Sequence, residues 1–178
     1  MSVASRVVRP WRSFVSHLIS LSTPVKQLHH HVTLSSQVRG DLNMWAPFLR
    51  QWNGASFFID DNITLAADLS IYTDATPTSY GGFYKTRWFQ GQFPPEFFLE
   101  KQSMALCELY PIVMAVALEG KFWANKRILF YCDNLSTVNI ITKGRSKVCS
   151  IMRLMLRLTY TCCIHNFVIH AKHPWNWQ

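Results

Sequence analysis

Acidic residues are scarce in this 178-residue chain: 10 Asp and Glu stand against 18 Lys and Arg, for a formal net charge of +8. None occurs before Asp41. Such a surplus draws polyanions by long-range electrostatics, which makes nucleic acid the first partner to consider, with a basic protein lacking such a partner as the alternative. No run approaches the ~20 apolar residues that span a bilayer, and no apolar segment with a small-residue cleavage site opens the chain. A membrane is therefore not expected as a partner, and an intracellular location, cytoplasmic or nuclear, is. Cysteines number five, an odd count without CxxC spacing, which speaks against both a zinc site and a disulfide framework. Buried, reduced thiols are expected. Internal repeats and low-complexity segments are also lacking.

What is present is apolar material: 49% hydrophobic and 14% aromatic residues, enough for one globular core and a small appendage. The acid-free start carries Arg6, Arg9, Arg12, Lys26 and Arg39 and so imitates a mitochondrial transit peptide. His29, His30, His31 and two prolines make it read instead as a piece of a longer chain. Consecutive histidines cannot all point one way on a helix or strand, so no metal site is expected there.

Periodicity divides the chain. Trp11, Phe14, Val15, Leu18 and Ile19 recur at helical spacing until Pro24, and Leu42, Trp45, Phe48 and Leu49 mark a second helix from about Gln37 to Trp52, ending at Asn53-Gly54. These form a small helical appendage over residues 1–64. A mostly apolar, β-prone run from Leu65 to Thr73 then ends at Asp74, and Tyr80–Tyr84 and Arg87–Gln92 follow as antiparallel neighbours around Lys85-Thr86. Ser103 is a helix N-cap for a segment reaching Gly120, in which Pro111 predicts a kink or a late start. Ile128–Cys132 is a strand ending at Asp133, and Asn134 caps a helix closed by Gly144. A long helix from Val148 to Ile164 and a strand from Phe167 to Ala171 complete the order β-β-β-α-β-α-α-β. That is a mixed α/β layer with helices packed on a sheet, over residues 65–178.

Among the acids of this second part, Asp68, Asp74, Glu108 and Asp133 are candidates inside the fold. Asp74 and Asp133 end strands, where ligand sites of open α/β sheets gather. Glu108 lies in a largely apolar stretch of helix. Three carboxylates without a cationic partner repel one another unless a divalent ion neutralises them, which points to Mg2+ or Mn2+.

Ile71-Tyr72-Thr73-Asp74-Ala75 followed by Gly81-Gly82, then Cys107-Glu108-Leu109-Tyr110, then Phe130-Tyr131-Cys132-Asp133-Asn134 resemble the successive motifs of type 1 ribonuclease H domains. The likeness is greatest to the domain that follows reverse transcriptase in DIRS-like retrotransposons, and includes Ile141 to Lys147 after the third motif. It spans roughly Leu69 to His173, and the appendage resembles the end of the preceding polymerase. The resemblance implies a mixed five-stranded ribonuclease H-like sheet with helices packed on it. It also implies that Asp74, Glu108 and Asp133 bind two Mg2+ (or Mn2+) ions while the RNA strand of an RNA–DNA hybrid is cut, with the remainder of a reverse transcriptase as a further partner. Thr76, Asn134, Lys143, Arg145 and Lys147 are then contacts to the hybrid backbone, and His173 acts near the leaving group.

One departure bears on activity. His173-Pro174 matches the start of the family's last motif, but Trp175-Asn176-Trp177-Gln178 does not continue to its fourth carboxylate, so a C-terminally truncated copy is expected. Three functions compete on the sequence alone: a hybrid-specific endoribonuclease, a non-catalytic nucleic-acid-binding or scaffold domain, and an integrase or transposase on the same fold. The last would place its glutamate last rather than on the first long helix of the domain. Polymerase activity is not expected, because nothing before Leu65 resembles a catalytic carboxylate set.

Overall fold

The computed structural model describes residues 12–25, 27, 29, 31–51, 63–65, 68–69, 71–98 and 102–174. The chain forms two compact units, Met1–Phe57 and Phe58–Gln178, dividing a few residues before the 64/65 boundary drawn from the sequence.

The first unit holds helices α1 (Arg12–Ser22) and α2 (Ser36–Gln51), which pack on each other. Val15, Leu18 and Val38 are buried between them, as the apolar spacing requires. Asp41, the first acid of the chain, is buried as well, with Oδ1 3.1 Å from His17 Nδ1. Burial pushes its carboxyl above the usual range, against the lowering effect of His17. Of the three consecutive histidines, His29 and His31 are described and exposed, and His30 lies outside the described residues.

In the second unit, strands β1 (Ile63–Leu65), β5 (Arg127–Tyr131) and β6 (Val168–Lys172) form a parallel sheet in the order β1-β5-β6. Strands β2 (Ile71–Ala75), β3 (Ser79–Tyr84) and β4 (Arg87–Gln92) form an antiparallel meander. The meander matches the sequence reading. The single strand expected from Leu65 to Thr73 does not form: Asp68 and Leu69 lie in a turn, and the segments on either side pair in different ladders. Aspartate is poor in strands and good in turns, which explains the break. Hydrogen bonding among the described residues therefore gives two three-stranded sheets rather than one five-stranded sheet.

Helix α3 (Met104–Glu119) is the centre of the unit. It is apolar nearly all round, as a helix enclosed on every side must be, and it packs against β2, β3, α4 (Leu135–Lys143) and α5 (Cys149–Ile164). Ser103 caps it by accepting the Leu106 N–H. The helix begins at Met104 and continues through Pro111, so the late start expected there is not seen; the proline ring is buried in the core and leaves the Cys107 carbonyl without its i+4 donor. Trp123, in the 3-10 turn after α3, is fully buried and meets Tyr84, Phe130 and Phe167 edge-on, with ring centroids 5.6–6.1 Å apart.

The outer face of the meander is different. Tyr72, Phe83 and Trp88 stand in one row across β2, β3 and β4, and all three are exposed. Cys149, expected to be buried, is also exposed, because it opens α5 before the core-facing Ile151 and Met152; the other four thiols are buried and unbridged. No described helix is long and apolar enough to cross a membrane.

Candidate metal centre

Each carboxylate of the candidate set is delivered by a different element. Asp74 is the fourth residue of β2, opposite Gly81 in the register of β3, and its Oδ1 accepts the N–H of Ala75 at 2.9 Å. Glu108 lies in the second turn of α3, and Asp133 follows β5 by two residues. The Ser103 cap sets the start of α3 and so the direction in which Glu108 emerges. Thr137 of α4 donates its hydroxyl to the Ala105 carbonyl at 3.2 Å and ties the start of α4 to the first turn of α3, one turn before Glu108.

Glu108 and Asp133 come together, and Cys132 joins them: one ligand atom from each lies within 4.8 Å of the other two. Glu108 and Cys132 are buried, whereas Asp133 is exposed. Asp74 is not within that group, yet its charge is felt there. The Glu108 carboxyl is pushed up from 4.5 to about 7, first by loss of water on burial, then by Asp133, then by Asp74. Among the described residues, none of the three carboxylates forms an ion pair with a lysine or arginine. Glu119 is buried at the far end of α3 and does have a partner, the Arg87 guanidinium at 3.3 Å.

His173 belongs to the same neighbourhood. In its Nε2–H form it donates to the carbonyl oxygen of Asp133 at 3.0 Å, bridging the segments after β6 and β5. Thr76 and Asn134, expected as contacts to the hybrid backbone, also have local work. The Thr76 hydroxyl accepts the N–H groups of Thr78 and Ser79 and closes the β2–β3 turn, and Asn134 Oδ1 accepts the Thr137 N–H as the α4 cap. Gly144, with φ 64°, ends α4 by donating to Ile140 and Ile141. Lys143, Arg145 and Lys147 are exposed at and after that end, and no hydrogen bond or ion pair links them to the carboxylates among the described residues.

Cys132 is the member that sequence reasoning passed over. Its thiol donates to the Asn134 carbonyl at 3.8 Å, and burial above all keeps that thiol protonated by raising it from its usual range. Its position directly before Asp133 was the available signal, but an apolar neighbourhood reads equally well as plain core.

Chemically, the group offers oxygen donors of like charge around a buried carboxylate. Such a site is satisfied by a proton on Glu108 or by a cation, and the oxygen set fits a hard divalent ion such as Mg2+ or Mn2+.

No protein-family model and no curated protein matches the sequence. Among solved structures, the chain is similar to native prototype foamy virus protease-reverse transcriptase, at 15% identity and a TM-score of 0.37. That alignment takes in 95% of this chain but spans only 23% of the other, and at such similarity it decides neither fold nor activity.

Proposed function

We propose that the chain hydrolyses the RNA strand of RNA–DNA hybrids with Mg2+ or Mn2+, as part of a retroelement reverse transcriptase. The single observation carrying this reading is Glu108: a buried carboxylate that faces Asp133, feels Asp74, and has no cationic partner among the described residues. The likeness of the three surrounding motifs to type 1 ribonuclease H supplies the reaction, and the appendage's own resemblance supplies the view of 1–64 as the end of a polymerase. The finer reading of the architecture as ribonuclease H-like belongs to this proposal too.

Asp74, Glu108 and Asp133 would hold the cations, which when bound supply an activated water and stabilise the departing 3′ oxygen. The chain's own residues do the rest. Glu108 gives up its proton on cation binding. His173, anchored to the Asp133 carbonyl, holds an imidazole beside the third carboxylate, where it can pass a proton to the leaving group. Lys143, Arg145 and Lys147 are exposed and able to meet phosphates, and the +8 charge favours their encounter. Thr76 and Asn134, which close the turn and cap the helix, would be further contacts to the hybrid backbone. Strand choice would rest on the ribose 2′-hydroxyl.

The test is cleavage of a labelled RNA–DNA hybrid with Mg2+ or Mn2+ by the native chain, Asp74→Asn and Glu108→Gln. Metal-dependent cutting that falls by about a hundredfold or more in both variants supports the reading. A native chain that binds hybrid without cutting it refutes the nuclease and favours a non-catalytic nucleic-acid-binding domain.

A further inference from the structure

The thiol of Cys132 lies within 4.8 Å of carboxylate oxygens of both Glu108 and Asp133. Atoms sharing one tetrahedral zinc ion, bound at about 2.0–2.3 Å, stand about 3.5 Å apart, so rotation of the two carboxylate side chains closes this group around a small cation. Asp133 is exposed and gives solvent access, while the other two ligands are buried and form the inner wall. Glu108 independently points to a ligand: it is only 9% exposed, is aimed into the group, and makes no hydrogen bond or ion pair with a described residue. The Cys132 thiol is held by one long, weak bond, 3.8 Å to the Asn134 carbonyl, which costs little to give up.

We propose that Glu108, Cys132 and Asp133 form a mixed sulfur–oxygen site that takes thiophilic divalent cations, zinc or cadmium, in preference to magnesium. Carboxylates alone do not discriminate strongly against hard ions, whereas a sulfur ligand selects soft ones. On binding, the S–H bond breaks, a sulfur–metal bond forms, and the proton leaves to solvent with the one held by Glu108. Three protein ligands leave a fourth, open position. Occupation draws Glu108 and Asp133 onto the soft ion and takes them from the hard-ion arrangement with Asp74. The resulting block of hybrid cutting rests on the function proposed above; the binding itself does not.

The experiment uses the full chain with Cys149→Ser, which removes the exposed thiol. Cd2+ is titrated in and followed by thiolate-to-cadmium charge-transfer absorbance, with Zn2+ and Mg2+ as competitors. The band is expected to saturate at about one equivalent, to be displaced by Zn2+, and to survive a roughly thousandfold excess of Mg2+. Adding Cys132→Ser abolishes it. Adding Glu108→Gln, which keeps the thiol, weakens cadmium binding by about tenfold or more. A full band in the Cys132→Ser chain, unchanged affinity in the Glu108→Gln chain, or displacement by equimolar Mg2+ overturns the site. A chain that shows the Cys132-dependent band yet never cuts hybrid refutes the nuclease and upholds the soft-metal site.

Discussion

The Thr137 hydroxyl donates to the Ala105 carbonyl across 3.2 Å inside the core, joining the first turn of α4 to the first turn of α3. Glu108 follows one turn after Ala105 and Asp133 four residues before Thr137, so this bond braces the two segments that bring the carboxylates together. Thr137→Val keeps the shape and removes the donor. It should cost about 1 kcal/mol, seen as a melting temperature lower by about 3–5 °C, and an unchanged melting temperature would deny the bond its bracing role.

Two glycines of opposite surroundings predict opposite signs. A Cβ on Gly82 would press on the Phe89 ring and come 2.9 Å from the Tyr72 carbonyl oxygen, a backbone atom that cannot yield without disturbing the ladder. Gly82→Ala should destabilise by about 1–3 kcal/mol. A Cβ on Gly40, inside α2, meets nothing within 4 Å, so Gly40→Ala should stabilise by about 0.5–1 kcal/mol through helix propensity. Urea unfolding of the two single variants checks both signs.

Trp123 fills the space between Tyr84, Phe130 and Phe167. Trp123→Ala should cost about 3–5 kcal/mol, a large share of a domain's stability, read as a lowered urea midpoint and a weakened near-ultraviolet circular dichroism signal. Retention of the native near-ultraviolet signal with an unshifted urea midpoint would contradict this placement.

The Glu108 carboxyl gives a pH dependence of definite sign. In the cation-free fold it keeps its proton up to about pH 7, whereas the unfolded chain loses it near 4.5. Between those values the folded state binds more protons, so this group's contribution is full below the lower value and fades as pH rises through the upper one. Stability without divalent ions should therefore decline from pH 5 to pH 8. Glu108→Gln should flatten that slope, and saturating Mn2+ should reverse it by favouring the ionised carboxylate. Urea midpoints measured across this range decide the matter; a slope equally steep in the Gln variant would place its origin elsewhere.

The parts of this protein that obey short-range rules were legible before any coordinates. Ser103, Asn134 and Gly144 act as the caps that their residue types announce, because a cap satisfies backbone groups three or four residues away. The hairpin around Lys85-Thr86 forms where the two β-prone runs predict it, with Lys85 taking the left-handed conformation at φ 54°. The strand break at Asp68 and Leu69 was missed because hydrophobic pattern alone does not say which neighbour each half of a run will find.

What the sequence determined by itself is the order of helices and strands, apart from the split of the first run into β1 and β2, and the acids worth watching, since both are written in residue types and short spacings. Tertiary packing was needed to show that Cys132 joins Glu108 and Asp133, that Asp74 acts on Glu108 from outside that group, that Thr76 closes its turn, and that Glu119 is held by Arg87. Each of those outcomes depends on which elements pack together and how much water remains between them. Solvation and long-range electrostatics fix the chemistry of such groups, and neither is encoded in the spacing of residues along the chain.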